Sequence, residues 1–290
     1  MPTTLKYKKV YTDSKFRSHE SASSSDFKVE LPETMSFEEN TVVYLDDVCI
    51  PHSWESILEN INNKLYFIIY DINEIPEIDH YLIATIEPGN YIGGDLAVEI
   101  QTEMNSVAQT ATGVANLFTC AYIVKTNKLR ITIKTDPIRV WAFRIITQPE
   151  LKTIVWNGTP FNRNKPNDIN EVLSNLDNFS VRFNAVIPFE SGAINLQPFS
   201  NIYIHGNNLC NYNTIGPLNE RTILKKIPVS ADYNRMIFDP CVLLNDYNDC
   251  SHNTIKTLYF QLKSSQGDII PLKGCNWSFS LVFSIGNPDM

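Results

Sequence analysis

The sequence predicts a mainly β protein: an eight-stranded single jelly-roll sandwich with an inserted small α+β domain. Short apolar runs bounded by Pro, Gly, Asn and Asp recur along the chain without alternating helices, which is typical of an all-β sandwich. Eight of these runs lie outside a central stretch of different character, and eight strands in two sheets is the jelly-roll count. A chain of 290 residues can bury a full core in this arrangement.

Two of the eight strands precede the central stretch, at residues 26–31 and 41–50. In the first, apolar and polar residues alternate as in a half-buried strand, and Pro32 is expected to end it. The second is more apolar and stops at Pro51. It contains Asp46 and Asp47, but neighbouring residues of a strand point to opposite faces, so the pair is not expected to chelate a metal.

Six further strands are predicted toward the C-terminus because their apolar patterns again lie between turn residues. They cover residues 179–183, 202–205, 222–229, 235–238, 256–262 and 277–284. We therefore assign residues 26–53 and 175–290 to the jelly-roll domain. A sandwich loop tolerates a long insertion because loop length adds little entropic cost.

Residues 54–174 form the expected inserted α+β domain, which includes an Asn- and Pro-rich linker back to the sandwich. A strand at 81–86 and a turn at 87–91 precede a helix at 94–106. Leu96, Ile100 and Met104 recur every four residues, as on the buried face of a helix. A hairpin at 118–135 follows, and residues 141–146 are expected to add a strand.

Residues 1–25 form a basic, Ser-rich arm that is expected to be extended or mobile as far as Asp26. The arm has five basic and two acidic residues, whereas the whole chain has a net charge of −8. Such an arm suits an acidic protein surface or a genome, although a solvated tail has the same composition. The partner-binding candidates are four basic and three aromatic residues: Lys6, Lys8, Lys9, Arg17, Tyr7, Tyr11 and Phe16.

Composition limits the function classes. The net charge of −8 argues against a protein that coats nucleic acid over its whole surface. Charged residues make up 19% and aromatic residues 11%, which suits a surface buried against other subunits but also an ordinary β-rich protein. The polar N-terminus and the six cysteines without CxxC spacing favour a reduced, intracellular origin, and no apolar run is long enough for a membrane span.

The motifs give little sign of chemistry, so we expect no enzyme, no cofactor and no metal. The five histidines have no metal-ligand spacing. Ser53 follows His52 but lacks a GxSxG turn, and the Gly93-Gly94 pair before the helix lacks the rest of a phosphate-binding loop. The acidic loop at 245–249 lacks the Gly and Glu of an EF-hand.

Several short motifs span most of the chain in a fixed order: YTDS at residues 11–14, DF at 26–27, DDVCIPHSW at 46–54, PGNY at 88–91, residues 224–229, and NWSF at 276–279. Taken in this order, they resemble the penton, or minor capsid, proteins of Polinton (Maverick) elements and the related adintoviruses.

The resemblance implies a single jelly roll that forms homopentamers at the five-fold vertices of an icosahedral capsid. It further implies a double jelly-roll major capsid protein as partner, assembly inside the host cell, and a place in the virion. The family offers no catalytic residues to carry over. A lectin-like or receptor-binding β-sandwich module is the alternative, in which Tyr203, Tyr212 or Tyr233 would lie in one groove beside acidic groups. An unrecognised hydrolase would instead need a cluster of titratable residues in a pocket.

Overall fold

A computed structural model describes residues 7–73, 79–135, 139–153, 155–156, 159–160, 167–175, 181–209, 214–241 and 247–285. The protein is mainly β, with antiparallel sheets and few helices, as the sequence predicts. It divides into two compact units. The first comprises Met1–Trp54 and Phe199–Met290, and the second comprises Glu55–Pro198.

The elements follow one another along the chain as strands, interrupted by one long helix and three short ones. Their bounds are β1 (Tyr7–Asp13), a 3-10 helix (Ser14–Phe16), β2 (Asp26–Ser36), β3 (Thr41–Pro51), β4 (Lys64–Asp71), β5 (Asp79–Thr85), α1 (Gly93–Thr112), β6 (Phe118–Ile123), β7 (Lys128–Ile133), β8 (Trp141–Ile145), α2 (Gln148–Leu151), β9 (Val155–Trp156), β10 (Thr159–Pro160), α3 (Asn170–Leu173), β11 (Phe183–Asn184), β12 (Phe189–Glu190), β13 (Asn201–Gly206), β14 (Ile223–Pro228), β15 (Met236–Asp239), β16 (Asn248–Asp249), β17 (Thr254–Lys263) and β18 (Ser278–Ile285).

Two antiparallel sheets build the first unit. Sheet I has the strand order β1-β18-β3-β15, and β16 also pairs with β3. Sheet II has the order β14-β13-β17-β2. The sheets pack face to face, since the ring centroids of Phe260 on β17 and Phe279 on β18 lie 4.7 Å apart. The sandwich core therefore lies between sheets I and II.

Trp277, just before β18, anchors this core. Its indole is almost fully buried, with its ring edge-on to Phe27 and stacked on Phe279. The indole Nε1 donates a hydrogen bond to the Ser24 carbonyl over 2.8 Å. The backbone N–H of Trp277 donates to Ser14 Oγ, and Ser14 N–H donates to the Trp277 carbonyl. One residue thus ties the core to the segment between β1 and β2.

The second unit packs α1 against strands of two sheets, β11-β8-β4-β5 and β12-β7-β6. The helix buries one stripe of residues at helical spacing: Leu96, Ala97, Ile100, Met104 and Ala108. It ends at Gly113, whose φ of 74° is a left-handed conformation that glycine adopts without strain. The helix predicted at 94–106 is present and extends further, to Thr112.

The arm predicted to be extended or mobile through residue 25 is extended at residues 7–13, where it forms a strand of the first unit. Tyr7 to Asp13 form β1, which pairs antiparallel with β18 along its whole length. The segment can form a strand with few aliphatic residues because it lies at the edge of the sheet, where few of its side chains are buried. Thr12 is the buried residue of this strand. Lys6 lies outside the described residues.

Two expected boundaries also differ. The strand predicted at 179–183 does not belong to the sandwich, since Phe183 of β11 pairs with β8 of the second unit. That unit therefore runs to Pro198 and not to residue 174. Pro32 does not end β2, which continues to Ser36. The strand lies at the edge of sheet II, where a residue without an N–H is tolerated.

Candidate assembly surface

The outer face of sheet I, which points away from the sandwich core, is the candidate functional surface. Strand alternation sends Tyr7, Lys9 and Tyr11 of β1 to this face while Thr12 is buried. Tyr7 is 63% exposed and Tyr11 77% exposed. Phe16 of the following 3-10 helix is 75% exposed. Three of the predicted partner-binding residues are therefore aromatic rings presented to solvent by ordered backbone.

The predicted basic residues of β1 have partners within the chain. Lys8 forms an ion pair with Glu33, and the bond lowers the pKa of the Glu33 carboxyl. Lys9 forms an ion pair with Asp46, and this hydrogen bond raises the pKa of the Lys9 ammonium. Exposed pairs of this kind are weak. An acidic partner that binds these lysines must nevertheless compete with carboxylates already in place.

Arg17 is held in a similar way. Its guanidinium Nη1 donates to the Ser14 carbonyl over 2.9 Å and to Asn276 Oδ1 over 3.2 Å. These bonds fix the residue that follows the 3-10 helix against the segment before β18. Arg17 therefore contributes to the local structure of the N-terminal segment.

Tyr11 and Phe16 line a cleft of about 250 Å³ on this face. Its lining also includes the carboxylates of Asp13 and Asp47 and the small side chains of two β18 serines, Ser278 and Ser280. Ser280 Oγ donates to Asp47 over 2.6 Å, and the Lys9 ammonium lies 4.0 Å from Asp47. Asp13 accepts the backbone N–H of Lys15 over 2.8 Å. The cleft combines aromatic walls with two acidic groups.

A second apolar feature lies at the opposite edge of the same sheet. Met236 and Phe238 of β15 are 55% and 59% exposed, whereas Ile237 between them is buried. The strand register places Phe238 beside Cys49, Cys49 beside Ser278, and Ser278 beside Asp13. Large side chains therefore stand at both edges of the face, with small ones between them.

Arg235 precedes β15 at this second edge and is exposed. Its backbone bonds to His52 and Asp232, but its guanidinium has no hydrogen bond or ion pair with the residues that the structure describes. From the sequence alone, no binding role is predicted for Arg235, Met236, Phe238 or Asp47. The available signal is a run of three large apolar residues, 236–238, because a strand points alternate residues to opposite faces and both faces of this one are therefore apolar.

The residues considered for catalysis have structural roles. His52 stacks on Trp54 at 4.2 Å, and its Nδ1 lies 2.7 Å from the Ala231 carbonyl. Ser53 Oγ donates to the Leu272 carbonyl, so it is not directed toward a base. His205 is buried beside Thr222, and burial lowers the pKa of its imidazole to about 4.

The structure also describes the surroundings of most other residues that were considered for a binding site. Within the described ranges, no group of three or more His, Cys, Asp and Glu side chains is arranged to hold a metal ion. Of the tyrosines considered for a lectin-like groove, Tyr203 is half-buried on β13 and Tyr233 is 43% exposed next to His52. Tyr212 and residues 245–246 of the acidic loop lie outside the described residues. In the part of the chain covered by the structure, no helix is both long and apolar enough to cross a membrane.

Comparison with models of known protein families gives no match, and comparison with curated proteins gives none either. Among solved structures, the chain is similar to the selenomethionine-labelled mavirus penton protein, with a TM-score of 0.53 and 12% sequence identity. The similarity covers 97% of this chain and 100% of that one. The chain therefore shares the overall fold of a viral penton protein.

Proposed function

We propose that this chain is a penton-type minor capsid protein that forms homopentamers at the five-fold vertices of an icosahedral capsid. The observation that carries the proposal is the fold similarity to the mavirus penton protein over 97% of the chain. A capsid role also agrees with the outer face of sheet I, where exposed aromatic and apolar side chains occupy both edges.

The strand order supports a single jelly roll as the assembling domain. Two four-stranded antiparallel sheets, β1-β18-β3-β15 and β14-β13-β17-β2, each combine strands from the N-terminal and C-terminal parts of the chain. This pairing is typical of a jelly roll. The second unit then corresponds to an insertion between β3 and β13, at residues 55–198. The short β16 is an addition to the eight strands.

The sequence motifs suggest a more specific relation to the penton proteins of Polinton (Maverick) elements and adintoviruses. On that basis the partner is a double jelly-roll major capsid protein, the location is the virion, and the role is structural and not enzymatic. The exposed Tyr7, Tyr11 and Phe16 would contact a neighbouring subunit. The basic residues would contribute less to partner binding than these aromatic rings. Three of the four, Lys8, Lys9 and Arg17, already have partners within the chain, and any contact of these residues or Lys6 with acidic capsid groups or the genome would therefore add little.

The test is a mass measurement on the purified full chain. Five copies of a 33.1 kDa chain give about 166 kDa, and we expect a particle of this mass with five-fold symmetry in electron micrographs. Co-expression with the major capsid protein should place the chain at the vertices of the particles. A chain that is neither five-fold in solution nor present at particle vertices would contradict the proposal.

A further inference from the structure

We infer that the cleft between Tyr11 and Phe16 receives Arg235 of a second copy of this chain, and that this head-to-tail contact joins neighbouring subunits of the ring. The inference rests on the proposed homopentamer and names the residues of its interface.

The cleft has the chemistry of a guanidinium site. An arginine side chain stacks on aromatic rings and forms directed hydrogen bonds to carboxylates. Tyr11 and Phe16 provide exposed rings, of which the Tyr11 ring already has the Lys9 ammonium 5.0 Å from its centroid, and Asp13 and Asp47 belong to the same lining. Asp47 is already bonded to Ser280 and lies 4.0 Å from the Lys9 ammonium. Within the described residues, the Asp13 carboxylate accepts one backbone N–H and no other donor, so it retains the greater capacity for a new donor.

Arg235 is the complementary group on the same chain. The first unit has two other arginines: Arg17 is bonded to the Ser14 carbonyl and to Asn276, and Arg221 has an interaction of its own. Arg235 is exposed, and its guanidinium makes no bond within the described ranges. Its neighbours Met236 and Phe238 add exposed apolar surface. An exposed arginine beside apolar residues is a common composition at the centre of a protein interface.

The positions of the two patches suit a ring. A closed ring uses a heterologous contact, in which one patch of each subunit meets a different patch of the next. The cleft lies on β1 and β18, and Arg235 lies at the start of β15, which is the opposite edge of sheet I. An isologous dimer would instead require one patch to meet itself.

Charge reversal provides the first test, in the full-length chain. We expect Arg235→Glu to weaken subunit association by about 30-fold or more, the loss typical of an interface hot spot. Lys226→Glu is the matched control. Lys226 is an exposed basic residue on β14 of sheet II, and its replacement by Glu changes the net charge by the same amount. Analytical ultracentrifugation measures association, and circular dichroism checks that both variants are folded. A ring that survives Arg235→Glu overturns the inference.

A mixing experiment tests the pairing directly. Arg235→Glu retains an intact cleft, whereas the double variant Tyr11→Ala, Phe16→Ala retains an intact Arg235. Both aromatic rings are at least 75% exposed, so their removal should leave the fold unchanged. At a concentration between the wild-type dissociation constant and the weakened one, each variant alone should be monomeric, and an equimolar mixture should give a dimer of about 66 kDa that cannot close, twice the 33.1 kDa of one chain.

The outcomes separate this inference from the proposed function. Suppose that the wild-type chain forms a pentamer. If both variants also form pentamers, or if they stay monomeric when mixed, the Arg235 contact is wrong and the penton role is unaffected. A wild-type chain that does not form a five-fold ring, alone or at the vertices of co-expressed particles, overturns both.

Discussion

Replacing Trp277 by alanine should destabilise the first unit and loosen the N-terminal segment that forms the cleft. The indole is 1% exposed and contacts the rings of Phe27 and Phe279. Its Nε1 also satisfies the Ser24 carbonyl. Removal therefore creates a cavity in the sandwich core and leaves a buried acceptor without its donor.

The expected loss is large relative to the stability of a domain. Truncating a buried aromatic residue to alanine costs about 3–5 kcal/mol, against a typical total of about 5–15 kcal/mol. In a unit of this size the loss corresponds to a fall in melting temperature of about 10 °C. Trp277→Phe keeps most of the ring but not the hydrogen bond, and should cost about 1–3 kcal/mol.

Denaturant unfolding followed by circular dichroism measures these differences, and hydrogen exchange locates them. Amides of the segment between β1 and β2 should exchange faster in Trp277→Ala, because the anchor at Ser24 is gone. Phe16→Ala is the control, since a 75% exposed ring contributes little to stability. If Trp277→Ala unfolds at the same denaturant concentration as Phe16→Ala, the role assigned to the indole is refuted.

Three further perturbations test other parts of the structure. Gly93→Ala would place a Cβ 2.5 Å from the Tyr122 ring and should cost about 1–3 kcal/mol in thermal unfolding, whereas Gly94→Ala meets nothing within 4 Å and should be neutral or stabilising. Because burial lowers the pKa of His205 to about 4, the unfolded state takes up the proton first as pH falls below about 6.5. Unfolding free energy should therefore drop by up to about 3 kcal/mol between pH 6.5 and 4, and His205→Gln, measured by denaturant titration at each pH, should remove that part of the slope. In alkylation followed by mass spectrometry at pH 8, the exposed Cys275 should react much faster than the half-buried Cys120 and the buried Cys241 and Cys250, because burial raises the pKa of these three thiols to about 12.

The strands that the sequence predicts well are those with a continuous buried face. The apolar patterns predict strands at residues 41–50 and 277–284, and the structure has β3 at Thr41–Pro51 and β18 at Ser278–Ile285. Both lie inside sheet I, where each strand has a neighbour on both sides and buries most of its apolar residues. Burial of this kind leaves a hydrophobic pattern that a single sequence reveals.

β1 was missed for the opposite physical reason. It lies at the edge of sheet I and pairs only with β18, and most of its side chains are exposed or half-buried. Its sequence, YKKVYTD, therefore reads like a polar arm. The backbone hydrogen bonds that order it come from a partner more than 260 residues away in the chain, which no local pattern encodes. Likewise, Asp47 and Tyr11 line the same cleft because the strand register places each of them beside Ser280 of β18.

The period-two alternation of sheet I separates the residues that fold the protein from those proposed to assemble it. Ile237 is buried, while its neighbours Met236 and Phe238 are exposed on the outer face. Substitutions at the exposed positions should therefore alter association without altering stability, whereas substitutions at the buried positions should lower the stability of the subunit itself. Exposed aromatic residues at two edges of a stable sheet contribute little to the fold of an isolated chain, so their burial in a neighbouring subunit is the simplest physical reason for their presence.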